Sequence, residues 1–475
     1  MDRRSFLKTA GAGAVATAAA VAGCDNKREV KSEGMSLGEV PVDKMTMRTN
    51  RHGEQVSLLG YGCMRFPTTD GNSGREQDAP LDQEQINRLV DYAIAHGVNL
   101  FDTAPPYCKG RSEHAVGIAL SRHDRSEFFV STKLSNFGVP LWSREESLKL
   151  YNNSKKELRV DCLDYYMLHG IGMSARDSNG NEIDAMECCR RRFFDNGMLD
   201  FLAEEREKGH IHNLGFSYHG DIRVFDYLLS LNDTYHWDHV LIQHNYVDWN
   251  HAKAINQRNT NSSYLYGELE KRGIPAFVME PLLGGQLVNV SHHAVDQMKE
   301  RDPEASVASW AFRFAGNQPG ILTVLSGMTY MEHLQDNVRT YSPHKPLTDD
   351  ELVMLERIAD AYAELKAVPC TGCKYCMPCP YGIDIPTVFN HFNKWMNEAD
   401  VLSTDFRTLD GAERREYKKL RREFLIGYDR LVSPVRQADH CIGCGHCLPE
   451  CPQGIDIPAQ MRRLDGYAEK LKQSV

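Results

Sequence analysis

What this chain lacks narrows it first. No segment concentrates lysine and arginine: 55 basic residues stand against 65 acidic ones, a net charge of −10, and a chain without a basic stripe is not built to coat nucleic acid. No strongly apolar run reaches the roughly 20 residues that a spanning helix needs; the nearest candidate, Thr9 to Ala22, is shorter and diluted by alanine and glycine. No Gly-x-Gly-x-x-Gly run opens a helix after the first strand-like segment, which weakens an open dinucleotide-binding sheet. Nor are the 14 cysteines scattered as a disulfide framework would be, because eight of them crowd into the last quarter of the chain.

What is present is a globular chain of 475 residues, 41% hydrophobic, enough for two to four domains and at least one large core. Its N-terminus, Arg3-Arg4-Ser5-Phe6-Leu7-Lys8 and then the weakly apolar run, resembles a twin-arginine export signal. Val21-Ala22-Gly23-Cys24 resembles a lipoprotein cleavage box, with Cys24 acylated as a membrane anchor; a plain signal peptide with a chance cysteine is the alternative. The expectation is a signal over 1–24, a polar tether over 25–44, and a periplasmic or membrane-anchored protein exported already folded.

From 45 to 345, strand-like and helix-like segments alternate, which argues for a parallel α/β sheet. The strand candidates are Leu58 to Gly60, Val98 to Phe101, Phe128 to Thr132, Leu163 to Leu168, Ile211 to Phe216, His239 to Gln243, Ala276 to Met279 and Ile321 to Leu325. Helical spacing fills the gaps, for example from Gln83 to Ala95 and from Ser143 to Leu158. Eight such units predict a (β/α)8 TIM barrel, its floor closed by a hairpin around Arg51-His52-Gly53-Glu54, with an open doubly wound sheet as runner-up.

In a barrel the active site collects beyond the C-terminal strand ends. The second strand leads into Asp102-Thr103-Ala104-Pro105-Pro106-Tyr107, where two prolines stiffen the turn between an acid and a phenol. Taken alone, Asp-Thr after a strand is more often a helix cap than a catalytic group. The third strand ends at Lys133 and the fourth at His169, so four titratable groups fall on three successive strand ends.

This set resembles the aldo/keto reductases. The likeness spans about 300 residues, through Leu59-Gly60-Tyr61-Gly62, Gly97 to Ala104, Gly110 to Glu113, Leu168-His169, Gly215-Phe216-Ser217, Gln243 to Tyr246, Pro281 to Gly285, and Ser326-Gly327 with Gln335 and Asn337. It implies that Tyr107 is the general acid, or the base in the oxidative direction, that a Lys133 ammonium held by Asp102 favours the tyrosinate, and that His169 orients a carbonyl. It also implies a nicotinamide dinucleotide, NAD(P)(H), touched by Ser217, Gln243, Ser326, Gly327, Gln335 and Asn337, with its phosphates received by backbone donors near the last strands.

Three departures bear on the cofactor: the first leaves the choice between NAD and NADP open, the second alters the usual carboxamide contact, and the third weakens or reshapes binding of the nicotinamide ring. Gly327-Met328-Thr329-Tyr330-Met331-Glu332 holds no arginine for a 2′-phosphate, Tyr218 follows Ser217 where an asparagine is frequent, and Met279-Glu280 replaces an aromatic platform. The stretch from Gly170 to Asn196 reads as an insertion over the rim that sets substrate choice.

From 346 to 475 the chain changes character. Cys370, Cys373, Cys376 and Cys379 precede Pro380, Cys441, Cys444, Cys447 and Cys451 precede Pro452, and each run is followed by Gly-Ile-Asp-Ile-Pro. Triplets closed by Cys-Pro match the bacterial ferredoxin arrangement for [4Fe–4S] clusters, with zinc as the alternative. Ferredoxin ligation is crossed, so Cys370, Cys373, Cys376 and Cys451 would hold one cluster, and Cys441, Cys444, Cys447 and Cys379 the other. Cys63, Cys108, Cys162, Cys188 and Cys189 read as ordinary thiols, with Cys108 able to line the pocket.

The whole predicts an exported iron–sulfur oxidoreductase acting on a small carbonyl or alcohol, with an electron-transfer partner and no nucleic acid. Because free dinucleotide is scarce outside the cytoplasm, any nucleotide used would travel already bound. The competing reading is an electron-transfer protein whose barrel is a binding scaffold.

Overall fold

The computed structural model describes residues 40–474 except 75–78, 257, 365–366, 397–405 and 452. The export signal, Cys24, the first part of the tether and Pro452 lie outside the described residues.

Eight all-parallel strands close into a barrel. They are β1 (Leu59–Gly62), β2 (Leu100–Asp102), β3 (Phe129–Leu134), β4 (Leu163–Ile171), β5 (Ile211–Tyr218), β6 (His239–Gln243), β7 (Ala276–Met279) and β8 (Ile321–Ser326), and each pairs with its neighbours in sequence, β8 returning to β1. The runs are apolar on both faces because both are covered, one by the barrel interior and one by the helices. Leu100, Tyr165, Met167, Leu241, Phe277 and Leu325 fill the interior, and a larger cluster cements strands to helices. Each such side chain taken out of water contributes about 1.5–3 kcal/mol.

Helix Gln83–Ala95 begins where Asp82 accepts from the Gln85 amide, and Arg144–Leu158 where Ser143 accepts from the Glu146 amide, both sequence-legible caps. The antiparallel hairpin Met47–Thr49 and Gln55–Ser57 closes the floor, as expected. Asn50 at its turn donates to the Tyr165 hydroxyl at 2.9 Å and ties the floor to the barrel interior.

Helix Asp349–Glu364 does not open the cysteine-rich domain as the expected boundary at 345 implied. Its Met354, Leu355, Ile358 and Tyr362 pack with Tyr246, Leu283 and Trp310 of the barrel loops, while His251 Nε2 lies 3.4 Å from Glu356 and 3.2 Å from Asp360. The core of the cysteine-rich domain starts at Val368, where helices Ile385–Met396, Gly411–Leu431 and Ile457–Gln473 bring together Phe389, Tyr417, Phe424 and Met461. No helix among the described residues is long and apolar enough to cross a membrane.

Candidate active site

Strand register builds the site. Asp102 at the end of β2 pairs with Ser131 of β3, and Lys133 pairs with Met167 of β4 one residue pair short of Leu168, so the acid, the amine and His169 climb the rim in steps. Lys133, with no exposed side-chain surface, donates to Asp102 Oδ2 at 2.6 Å and to the Thr103 carbonyl at 2.7 Å. Asp102 takes a second bond at Oδ1 from the Ser131 hydroxyl at 2.7 Å. Its carboxylate therefore caps no helix, and a buried ion pair is satisfied on both sides, the condition under which burying charge is tolerable.

The Pro105-Pro106 turn delivers Tyr107 over this pair. The Lys133 ammonium stands 4.9 Å from the Tyr107 ring centroid, and the His169 ring packs edge-on to Tyr107 at 6.1 Å. A cation over the ring is held more tightly by the electron-rich phenolate than by the phenol. After Tyr107 the chain passes through left-handed backbone at Cys108 and Lys109, and this turns the Cys108 sulfur to within 3.4 Å of the Met64 carbonyl. Cys108 is thus a packing group of the adjacent loop.

Burial, with the nearby Lys133 charge second and His219 and Arg192 following, holds His169 well below the ordinary imidazole range, so the ring is neutral at neutral pH. The Ser135 hydroxyl lies 2.6 Å from Nδ1 and only 3.4 Å from the Lys133 carbonyl. The shorter contact claims its single hydrogen, which leaves the proton on Nε2 as the donor facing outward. Ser135 was missed from sequence, although it sits two residues past Lys133 and so on the same face of the strand.

The 170–196 insertion is more than a cover. After the short hairpin Ala175–Arg176 and Glu182–Ile183 and helix Ala185–Cys189, one wide turn Arg190–Phe194 sends Arg192 back into the rim. Arg192 donates to the His169 carbonyl at 2.6 Å and to Asn136 Oδ1 at 3.1 Å. A cavity of about 410 Å³ runs from Met173 and His219 past Lys253 and Arg258 to Cys451 of the cysteine-rich domain. Burial, then Lys133, lowers His219 to about 4.

The positions expected to meet a dinucleotide are placed at the ends of β5, β6 and β8, but each is engaged. Ser217 Oγ accepts from the Gly170 amide at 2.9 Å, Gln243 donates to Asp248 Oδ2 at 2.6 Å, and Asn337 donates to Ser326 Oγ at 2.9 Å. Gln335 bonds Tyr92 on the neighbouring helix, and a Cβ on Gly327 would meet Arg65 Cδ at 2.9 Å. Ser217, Gln243, Ser326 and Asn337 are thus held in place by bonds within the chain.

The cysteines do fit clusters. Cys370, Cys373, Cys376 and Cys451 line one cavity. Cys441, Cys444 and Cys379 are the neighbouring thiols around Cys447, whose own thiol burial pushes up to about 11. Four sulfurs converge twice, each time three from one run and the last from the other. That is a donor set for iron and sulfide, and unlike the paired knuckles of zinc.

Residues 58–360 match the family model described as "Aldo/keto reductase family", and residues 369–455 match "4Fe-4S dicluster domain". Among curated relatives, Protein tas of Escherichia coli (strain K12) is 25% identical over 359 residues, covering 65% of this chain and 95% of that one. The uncharacterized oxidoreductase YqkF of Bacillus subtilis (strain 168) is 23% identical over 327 residues, covering 63% and 92%. A solved aldo-keto reductase from Klebsiella pneumoniae in complex with NADPH superposes with a TM-score of 0.50 at 19% identity, over 66% of this chain and 95% of that one, a likeness of fold.

Proposed function

Because the chain belongs to the aldo/keto reductase family and joins that barrel to a 4Fe-4S dicluster domain, we propose that it interconverts a small carbonyl, such as an aldehyde, ketone or sugar, with its alcohol, exchanging electrons through two [4Fe–4S] clusters. The observation that carries this reading is the Lys133 ammonium, fixed by Asp102 at 2.6 Å and set 4.9 Å from the Tyr107 ring.

A carbonyl becomes an alcohol by gaining two electrons and two protons: the electrons come from the external donor one at a time, the proton at carbon comes from solvent, and the proton at oxygen comes from the chain itself. Tyr107 supplies the proton at oxygen, and Lys133 stabilises the tyrosinate left behind. His169, neutral and tethered by Ser135 and Arg192, donates a hydrogen bond that holds the carbonyl toward Tyr107. When bound, the clusters supply one-electron transfer, Cys370, Cys373, Cys376 and Cys451 holding one, and Cys379, Cys441, Cys444 and Cys447 the other. Export by the twin-arginine route and a lipid anchor on Cys24 belong to the same proposal and explain electron delivery by an external carrier.

The test is turnover of a panel of sugars and small carbonyls by anaerobically purified protein, with a reduced viologen dye as donor. Tyr107→Phe should lower the rate by about 10²–10⁴-fold with the cluster spectrum unchanged. Unchanged carbonyl reduction in that variant refutes the barrel chemistry.

A further inference from the structure

Three contacts converge where β1, β7 and β8 end. The Gly284 turn after β7 presses so closely on the first residues of the cysteine-rich domain that a Cβ on Gly284 would come within 2.5 Å of Thr371 Cα and 2.8 Å of its carbonyl oxygen. Arg65, after β1, lies over Gly327 and donates to the Thr371 carbonyl at 3.4 Å. Gln286 donates to the Cys370 carbonyl at 2.8 Å and is itself steadied by the Tyr362 hydroxyl at 2.7 Å.

The loops so covered are those after the last two strands, from which the resemblance draws backbone donors for a dinucleotide's phosphates. Here Gln286 and Arg65, side chains of the loops after β7 and β1, bind the carbonyls of Cys370 and Thr371, so peptide oxygens already occupy the space in front of those loops. Backbone lies on backbone at Gly284, a contact that no rotamer change opens.

We propose that the Cys370–Thr371 segment stands in the phosphate seat of the dinucleotide, so that the barrel of this chain takes no free NAD(H) or NADP(H). The inference goes beyond the carbonyl–alcohol reading and does not depend on Tyr107. It also makes the cysteine-rich domain a specificity element of the barrel, since the segment that carries a cluster ligand is the one that closes the groove.

The experiment uses the full chain with its clusters, titrated with NADH and with NADPH and followed by energy transfer from tryptophan to the reduced nicotinamide, together with mass spectrometry of nucleotides released on denaturation. The expected result is no saturable binding and no stoichiometric nucleotide. The paired variants Arg65→Ala with Thr371→Gly, and Arg65→Ala with Gln286→Ala, loosen the segment, and whichever retains its iron should gain saturable binding. Saturable binding or stoichiometric release from the unaltered chain overturns the proposal. So does failure of an iron-replete loosened variant to bind. Failure of the carbonyl–alcohol reading shows separately, in dye-driven turnover by Tyr107→Phe.

Discussion

Replacing Lys133 by methionine strips the charge from a side chain with no exposed surface and leaves Asp102, 3% exposed, with a buried carboxylate and only the Ser131 hydroxyl to meet it. Breaking one side of such a pair costs about 3–5 kcal/mol, most of it the penalty of the stranded charge and not the worth of the pair. At roughly 2–4 °C per kcal/mol for a large domain, the barrel transition should fall by on the order of 10 °C. Adding Asp102→Asn to Lys133→Met removes the stranded charge, and the amide can still bond Ser131 or the Thr103 carbonyl, so most of the loss should return. Carbonyl turnover should not return, because nothing then stabilises the Tyr107 anion. The assay is a thermal scan followed at the barrel tryptophans, Trp237 and Trp310 among them, beside dye-driven reduction on the same preparations. If the double variant melts no higher than Lys133→Met, the two groups are not energetically coupled and the reasoning fails. If it melts higher and also turns over, the ion pair is structural and plays no part in proton transfer.

Acid should destabilise the barrel through its buried imidazoles. Burial lowers His239 to about 3 and His219 to about 4, so the unfolded chain binds protons that the folded one refuses. Their stabilisation is full above about pH 6.5 and falls by up to about 1.4 kcal/mol per group per unit as the pH drops toward 4. The raised carboxyl of Asp248, pushed by burial to about 6, opposes this. His239 has neither ring nitrogen bonded, so His239→Leu should shift the acid-unfolding midpoint to lower pH, and an unmoved midpoint contradicts the assignment. Cys379→Ser should halve the iron and remove the cluster signal of the second cysteine run while sparing that of the first, read by iron analysis and electron paramagnetic resonance; loss of the first signal instead refutes crossed ligation. Arg192→Leu should lower turnover by roughly tenfold through a loosened His169 with iron content unchanged, and an unaltered rate would leave Arg192 a packing group only.

Much of this was legible because two periodicities are local. Strand β6 (His239–Gln243) and β7 (Ala276–Met279) and helix Gln83–Ala95 coincide with their sequence limits, since apolar runs and caps mark them. β4 runs three residues past its sequence limit at Leu168 because His169 and Gly170 interrupt the apolar run before Ile171 pairs with Tyr218. Asp102, Tyr107, Lys133 and His169 could be found because a barrel maps strand ends to one rim. Ser135 and Arg192 could not be found so easily: one needs the strand's facing and the other a wide turn within an insertion, and neither is marked by spacing. The placement of helix Asp349–Glu364 against Tyr246 and Trp310 is likewise a matter of tertiary packing that its amphipathic stripe announces without naming a partner. The covering of Gly284 by Thr371 has no sequence signal at all, because the two residues meet only once both domains are folded.

The crossed grouping of the cysteines has a consequence for the order of biosynthesis. The barrel is complete before any of the eight thiols has been translated, and neither four-sulfur set closes until Cys451, near the end of the chain, or its companions from Cys441 onward have emerged. Cluster insertion therefore follows folding of the barrel, and a chain cut between the barrel and Cys441 would carry a folded barrel with two incomplete sulfur sets. Iron content then reports whether both cysteine runs have been made and brought together.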